Sequence, residues 1–209
     1  MRKTVLIVLA GVALLMAASC KSTPPEAAVP LPETELAKAK ELKATADQYN
    51  LGQLAQAEYT AAENALKAGE AAYGTDNAAS KESLDKAISG YEAVISKGGA
   101  VYLGTLNDQA AASKKLADDL KASVAVKDDY AKAQAAYDRA LAAKSAGDLA
   151  AATKDFEEAR SLFDAVAMTA TKKRDAARTA NTAAAQAQAD AEAKAAAAQA
   201  SLDAETFGE

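Results

Sequence analysis

Histidine and tryptophan are absent from this 209-residue chain, and its single cysteine is Cys20. Those absences remove Ser-His-Asp triads, Cys-His nucleophile pairs and the usual zinc and haem ligand sets. One cysteine cannot close an intrachain disulfide. Proline occurs only at positions 24, 25, 30 and 32, so nothing beyond Pro32 breaks a helix by lacking an N–H. Aromatic residues make up 5% of the chain. Basic charge is in deficit: 24 Lys and Arg stand against 29 Asp and Glu, a net charge of −5. That balance argues against nucleic acid, which needs a basic footprint. No glycine-rich phosphate loop is spelled by Gly98-Gly99 or Gly147. The longest apolar run, residues 5–18, has 14 residues, short of the roughly 20 that span a bilayer as a helix.

The abundant residue is alanine, about 29% of the chain. It is the strongest helix former and loses no side-chain entropy. Apolar residues recur at three and four, and no sustained two-residue alternation predicts strands. The pattern predicts a helix over 34–49, capped by Thr34, with a stripe of Leu36, Ala39, Leu42, Ala46 and Tyr49. A second helix over 56–73 carries Tyr59, Ala62, Leu66 and Tyr73. After Gly74-Thr75-Asp76-Asn77, whose Asp76 or Asn77 is an N-cap candidate, one long helix is expected over 78–124, with Leu84, Ala87, Tyr91, Leu103, Leu106, Leu120 and Val124 on its stripe. A helix over 128–145 turns Ala133, Tyr137, Ala140 and Leu141 inward. The last helix starts near Leu149 with Ala152, Phe156, Ala159, Phe163 and Val166, and continues in alanine to about Asp203.

Two of these hairpins are copies. Tyr59 matches Tyr130 and Leu66 matches Tyr137, displaced by 71; Leu84, Ala87, Tyr91 and Val94 match Phe156, Ala159, Phe163 and Val166, displaced by 72. One extra residue in the second turn accounts for the change. The expected fold is all-α, an elongated array of antiparallel helical hairpins with long alanine-rich helices. Gly147-Asp148 at a turn, then Ala152, Phe156 and Ala159, resembles the second half of a tetratricopeptide repeat. The early Trp, Leu and Gly and the terminal Pro of that motif are missing.

At the N-terminus, Arg2 and Lys3, the apolar run and then Ala17-Ala18-Ser19-Cys20 resemble the signal peptide and lipobox of bacterial lipoproteins, with Ala17 where Leu is commonest. The resemblance implies cleavage before Cys20 and acylation of its thiol. Two or three acyl chains hold a protein stably on a membrane where one is marginal. The expected organisation is a signal peptide over 1–19, lipidated Cys20 and a Pro-rich tether over 20–32, a first hairpin region over 33–126, a second hairpin over 127–169 and a helical tail over 170–209. Removing the signal takes Arg2 and Lys3 with it and leaves a net charge of −7.

Lipobox, tether and alanine-rich hairpins together are similar to small envelope lipoproteins, spirochaete examples in particular. That likeness implies the periplasmic face of an outer membrane or the cell surface, and Lys21 is not the Asp that retains lipoproteins at many inner membranes. The expected function is a membrane-anchored scaffold or adaptor for another envelope protein. The alternative is a structural tether or spacer acting by self-association or peptidoglycan contact. Neither enzyme activity nor a cofactor or metal is expected. Asp118-Asp119, Asp128-Asp129 and Glu157-Glu158 are expected on solvated faces or at helix starts. The tyrosines are expected in the core. The basic cluster Lys172, Lys173, Arg174 and Arg178 is the candidate interaction surface.

Overall fold

The computed structural model describes residues 29–207. The signal segment 1–19, Cys20 and the tether up to residue 28 lie outside the described residues. Seven helices follow one another: α1 (Glu33–Gln48), α2 (Leu51–Leu54), α3 (Gln56–Ala72), α4 (Asn77–Asp119), α5 (Ala122–Ala125), α6 (Lys127–Ser145) and α7 (Leu149–Thr206). No strand occurs among the described residues. The all-α hairpin array read from the sequence is the fold.

Helix α3 runs antiparallel to α4, with Leu66, Ala62 and Gly69 against Leu84, Gly90 and Tyr91. Helix α6 runs antiparallel to α7 in the same way, joined by edge-to-face pairs of Tyr137 with Phe156 (centroids 6.0 Å apart) and Tyr130 with Phe163 (5.6 Å). Both hairpin turns use a glycine in the left-handed region, Gly74 at φ 78° and Gly147 at φ 76°, which ends a helix without a Cβ clash. Both are followed by an aspartate N-cap. Asp76 accepts from the Ala79 amide at 3.0 Å, and Asp148 from the Ala151 amide at 2.9 Å.

The repeat is larger than a hairpin. Helix α1, a left-handed residue at Asn50 (φ 52°) and the short α2 precede α3. The second half of α4, a left-handed residue at Lys121 (φ 56°) and the short α5 precede α6 in the same manner. Helix α4 therefore serves twice, first as the long partner of α3 and then, past Gly104, as the counterpart of α1. Its two glycines at 98 and 99 do not interrupt it. A Cβ on Gly98 would come within 2.9 Å of the Leu51 carbonyl oxygen, so glycine there lets α2 lie directly on α4.

Several expectations need correction. Thr34 does not cap α1: the N-cap position is Pro32, with no side-chain hydrogen bond, and the helix takes in Thr34. The long helix does not run to 124. It stops at Asp119, because Leu120 and Lys121 turn the chain out before α5. Val124 is 82% exposed and Leu141 is 38% exposed, so neither belongs to an inner stripe. The change of displacement from 71 to 72 does not come from a longer turn. Helix α6 has 19 residues against 17 in α3, while its turn is shorter by one, since three residues rather than four separate α6 from α7.

Contacts give the directions of the long elements. Glu35 pairs with Lys81 and Tyr49 stacks near Tyr102, so α1 runs parallel to α4. Leu149 lies over Gly99 and Arg160 donates to Gln109, so α7 runs parallel to the second half of α4. The three are staggered in one direction. At about 1.5 Å per residue, the distance from the start of α4 to the end of α7 reaches roughly 120 Å if the axes are near collinear. Burial in α7 ends at Ala170; the residues from Lys172 to Asp203 are exposed.

The alanine-lined crossings make two glycine substitutions diverge. Gly98→Ala gains about 1 kcal/mol of helix propensity but presses a Cβ on the α2 backbone, where overpacking costs about 1–3 kcal/mol; a lower melting temperature is expected. Nothing stands within 4 Å of a Cβ on Gly104. Gly104→Ala is therefore expected to raise stability by about 0.5–1 kcal/mol, measured by thermal or urea melting of both variants.

Candidate functional site

Two features gather polar and apolar side chains: a repeated three-residue clamp and a repeated groove. In the clamp, a lysine and an aspartate one turn apart on one helix meet a tyrosine from the next long helix. Lys43 donates to Tyr59 Oη at 2.8 Å and to Asp47 Oδ2 at 2.9 Å, and the Tyr59 hydroxyl donates to Asp47 Oδ1 at 2.5 Å. Lys114 donates to Tyr130 Oη at 3.0 Å and to Asp118 Oδ2 at 2.7 Å, and Tyr130 donates to Asp118 Oδ1 at 2.5 Å. Glu63 adds a second carboxylate to the first clamp, 2.9 Å from Lys43, and accepts from Tyr91 at 3.1 Å. In the second copy, Gln134 stands in the place of Glu63 and Phe163 in the place of Tyr91, so the buried hydroxyl and its acceptor are lost together. That keeps both copies free of an unsatisfied buried polar group.

The electrostatics lock these groups in one ionisation state. Burial works against the charge on Lys43, but hydrogen bonds to Tyr59, Glu63 and Asp47 outweigh it and hold its ammonium pKa well above the usual lysine range. Hydrogen bonds to Asp118 and Tyr130 raise Lys114 in the same direction. Burial pushes Asp47 and Asp118 upward, yet their hydrogen bonds to tyrosine and lysine win and hold both carboxyls below their ordinary range. Burial and the adjacent aspartate raise the hydroxyls of Tyr59 and Tyr130. The lysines are held cationic, the aspartates anionic and the tyrosines protonated, each with its pKa shifted away from the physiological range, the reverse of what a general acid or base requires. The clamp is a fastener between helices.

Asp118, expected on a solvated face, is instead a clamp member. Asp128 and Asp129 do occupy the first turn of α6, and Glu158 pairs with Arg139 at 2.9 Å. Tyr91 is fully buried, whereas Tyr59 is half-buried and forms one wall of an open depression with Asp47, Asn50, Gly52 and Gln56. The clamps were missed in the sequence because the repeat was followed only from Tyr59 onward. Lys-x-x-x-Asp followed by Tyr twelve residues after the Asp, occurring at 43–59 and again at 114–130, was the available signal.

The groove lies where the two units meet. Leu42, Ile95, Leu103 and Leu149 line a space of about 430 Å³, with Glu92 and Lys144 at its edges. Its counterpart one repeat later is an open groove of about 670 Å³ lined by Leu116, Leu120, Ala167, Met168, Lys172 and Arg174. In the first groove the α6–α7 turn supplies Leu149 as a cover. No third unit exists among the described residues to cover the second. Two residues that line it have also changed: Thr45 and Ser96 of the first unit become Leu116 and Met168, which are 53% and 59% exposed.

The basic cluster is split in its roles. Lys173 donates to the Ala125 carbonyl at 2.8 Å, satisfying the end of α5. Arg174 contacts Asp175 at 3.3 Å and lines the open groove beside Lys172. Arg178 lies one turn further along the exposed helix. Among the described residues no group of three or more His, Cys, Asp or Glu is placed to hold a metal ion, and no helix is long and apolar enough to cross a membrane.

No family model, curated protein or solved structure matches the chain.

The clamp is testable in two ways. Tyr130→Phe removes hydrogen bonds to a charged pair that stays partly solvated, and is expected to cost about 1–2 kcal/mol, lowering the melting temperature by several degrees. The lowered carboxyls of Asp47 and Asp118 contribute stability above the ordinary carboxylate range, near pH 4, which is lost as pH falls through their folded values. The raised lysines and tyrosines contribute stability below about pH 10, which is lost as pH rises through theirs. A melting temperature plotted against pH should be flat between those limits and fall outside both. In the double variant Tyr59→Phe/Tyr130→Phe the alkaline fall should be smaller.

Proposed function

We propose that this chain is an envelope lipoprotein without enzymatic activity, held to a membrane by acyl chains on Cys20, that acts as a rigid scaffold holding an alanine-rich helical arm away from its anchor. The observation that carries this reading is the parallel stagger of α1, α4 and α7. All three point away from the end of the array where Val29 meets Asn77, and α7 continues well past Ala170, its last buried residue. Two further features support it. Asn77 donates to the Val29 carbonyl at 2.7 Å, fastening the chain leading from the anchor to the α3–α4 turn, at the end of the array opposite the arm. The clamps fix helix against helix in both units. An adaptor role for another envelope protein is the second reading, favoured by the apolar groove between the units.

The test is Cys20→Ser. The variant should lose labelling by radioactive fatty acid and move from the membrane to the soluble fraction after a carbonate wash. A variant that stays membrane-bound overturns the anchoring reading.

A further inference from the structure

The arm and the open groove fit each other, but not within one chain. Between residues 172 and 201 the arm carries no Val, Ile, Leu, Met, Phe or Tyr. Its large apolar residues lie at its far end, where Leu202 is 57% exposed and Phe207 is 91% exposed. The uncovered groove of Leu116, Leu120 and Met168 lies at its near end, and the roughly 50 Å of straight helix between them prevents any one chain from joining the two.

Charge is divided the same way. The near half of the arm holds Lys172, Lys173, Arg174 and Arg178 against one acid, Asp175. The far half, to residue 203, holds Asp190, Glu192 and Asp203 against one base, Lys194. The helix dipole does not explain this order, because an acidic C-terminal end opposes it.

We propose that the arm pairs with the arm of a second copy of this chain, antiparallel, about a two-fold axis near residues 188 and 189. Such an axis satisfies three independent features with one register. Arg174 comes level with the partner's Asp203, so that each basic half faces an acidic half. Phe207 comes level with the partner's Ala170, over the groove of Leu116, Leu120 and Met168, and occupies the place that Leu149 holds in the first unit. Alanine along both helices permits the close axial separation, near 8 Å, at which small residues pack. The interface is isologous, as a two-fold axis requires, so the assembly closes at two copies. The first unit offers no equivalent site for head-to-tail growth, since its α3–α4 turn carries polar Asn77 and is already contacted by Val29 and Leu31. This pairing goes beyond the anchoring reading and does not depend on it.

The mass of the chain carrying Cys20→Ser, measured by sedimentation equilibrium so that lipid makes no contribution, should show a reversible dimer. Phe207→Ala and Arg174→Asp should each weaken dimerisation on the order of tenfold. Arg174→Asp combined with Asp203→Arg should restore it, a recovery that an unfolded variant could not give. Cysteine pairing supplies the direction. Gln188→Cys or Ala189→Cys should link two copies through a disulfide, whereas Arg178→Cys should link to a copy carrying Gln199→Cys and not to itself. A chain that remains monomeric at several hundred micromolar, a charge swap that fails to restore the dimer, or self-linking at both 178 and 199, the mark of a parallel pair, would each overturn the proposal. None of these outcomes alters the lipid-labelling result, so the two readings fail separately.

Discussion

Small side chains at the helix crossings are the constraint on which the rest of this structure depends. Fifteen of the 25 buried apolar residues among those described are alanine, and Gly69, Gly90 and Gly98 sit where a Cβ would collide with the facing helix. Helices this close gain contact from backbone and methyl groups, but each crossing removes little apolar surface from water. The few large buried residues, Leu51, Leu84, Tyr91, Phe156 and Phe163, are spaced along the array so that each unit has its own aromatic or leucine centre. Thin interfaces of this kind leave helix separation well defined and helix sliding poorly resisted. The lysine–aspartate–tyrosine clamps supply what is missing, since a directional bond between named positions fixes the register that an alanine face leaves open.

The two units show which parts of the repeat are interchangeable. The clamp, the left-handed residue before the short helix, the aspartate N-cap and the glycine of the hairpin turn are all present twice. Around them the packing pairs change together. Glu63 with Tyr91 becomes Gln134 with Phe163. The positions of Leu36 and Leu66 become Asn107 and Tyr137, now joined by a hydrogen bond of 2.8 Å. At the open groove two polar positions of the first unit, Thr45 and Ser96, turn into the large apolar residues Leu116 and Met168, at the end that lacks a neighbouring unit among the described residues.

Much of the fold was legible in the sequence because helix propensity and a three-four stripe agree over long stretches. The helix starts at 77 and 149 follow from turn glycines and aspartate caps that carry a plain chemical signature. The breaks at Asn50 and Lys121 were harder. Asn50 tolerates the left-handed region, but Lys121 has no feature that favours it, and only its correspondence with Asn50 explains it. Val124 and Leu141 look like stripe members by type, yet the chain turns out after Asp119, ahead of Val124, and Leu141 stands one position past Ala140, the buried member of the α6 stripe Ala133, Ala136 and Ala140. Of the candidate site, Lys172, Lys173, Arg174 and Arg178 were visible as a cluster. Their division into a helix-end contact, a groove edge and an exposed strip depends on which neighbour each one meets, and a sequence run carries no record of that.

Because α4 belongs to both units without a joint, nothing in the packed region can act as a hinge. Bending it would mean bending a helix braced on two sides by α1 and α3, then by α6 and α7. Beyond Lys173, which still reaches the Ala125 carbonyl, the helix continues with its described side chains exposed. The molecule is thus a beam of two stiffnesses, and a sideways load at its far end would flex the free helix long before it strained the clamps. Compliance is concentrated where the chain has no core to lose, so deflection at the tip leaves the folded units undisturbed.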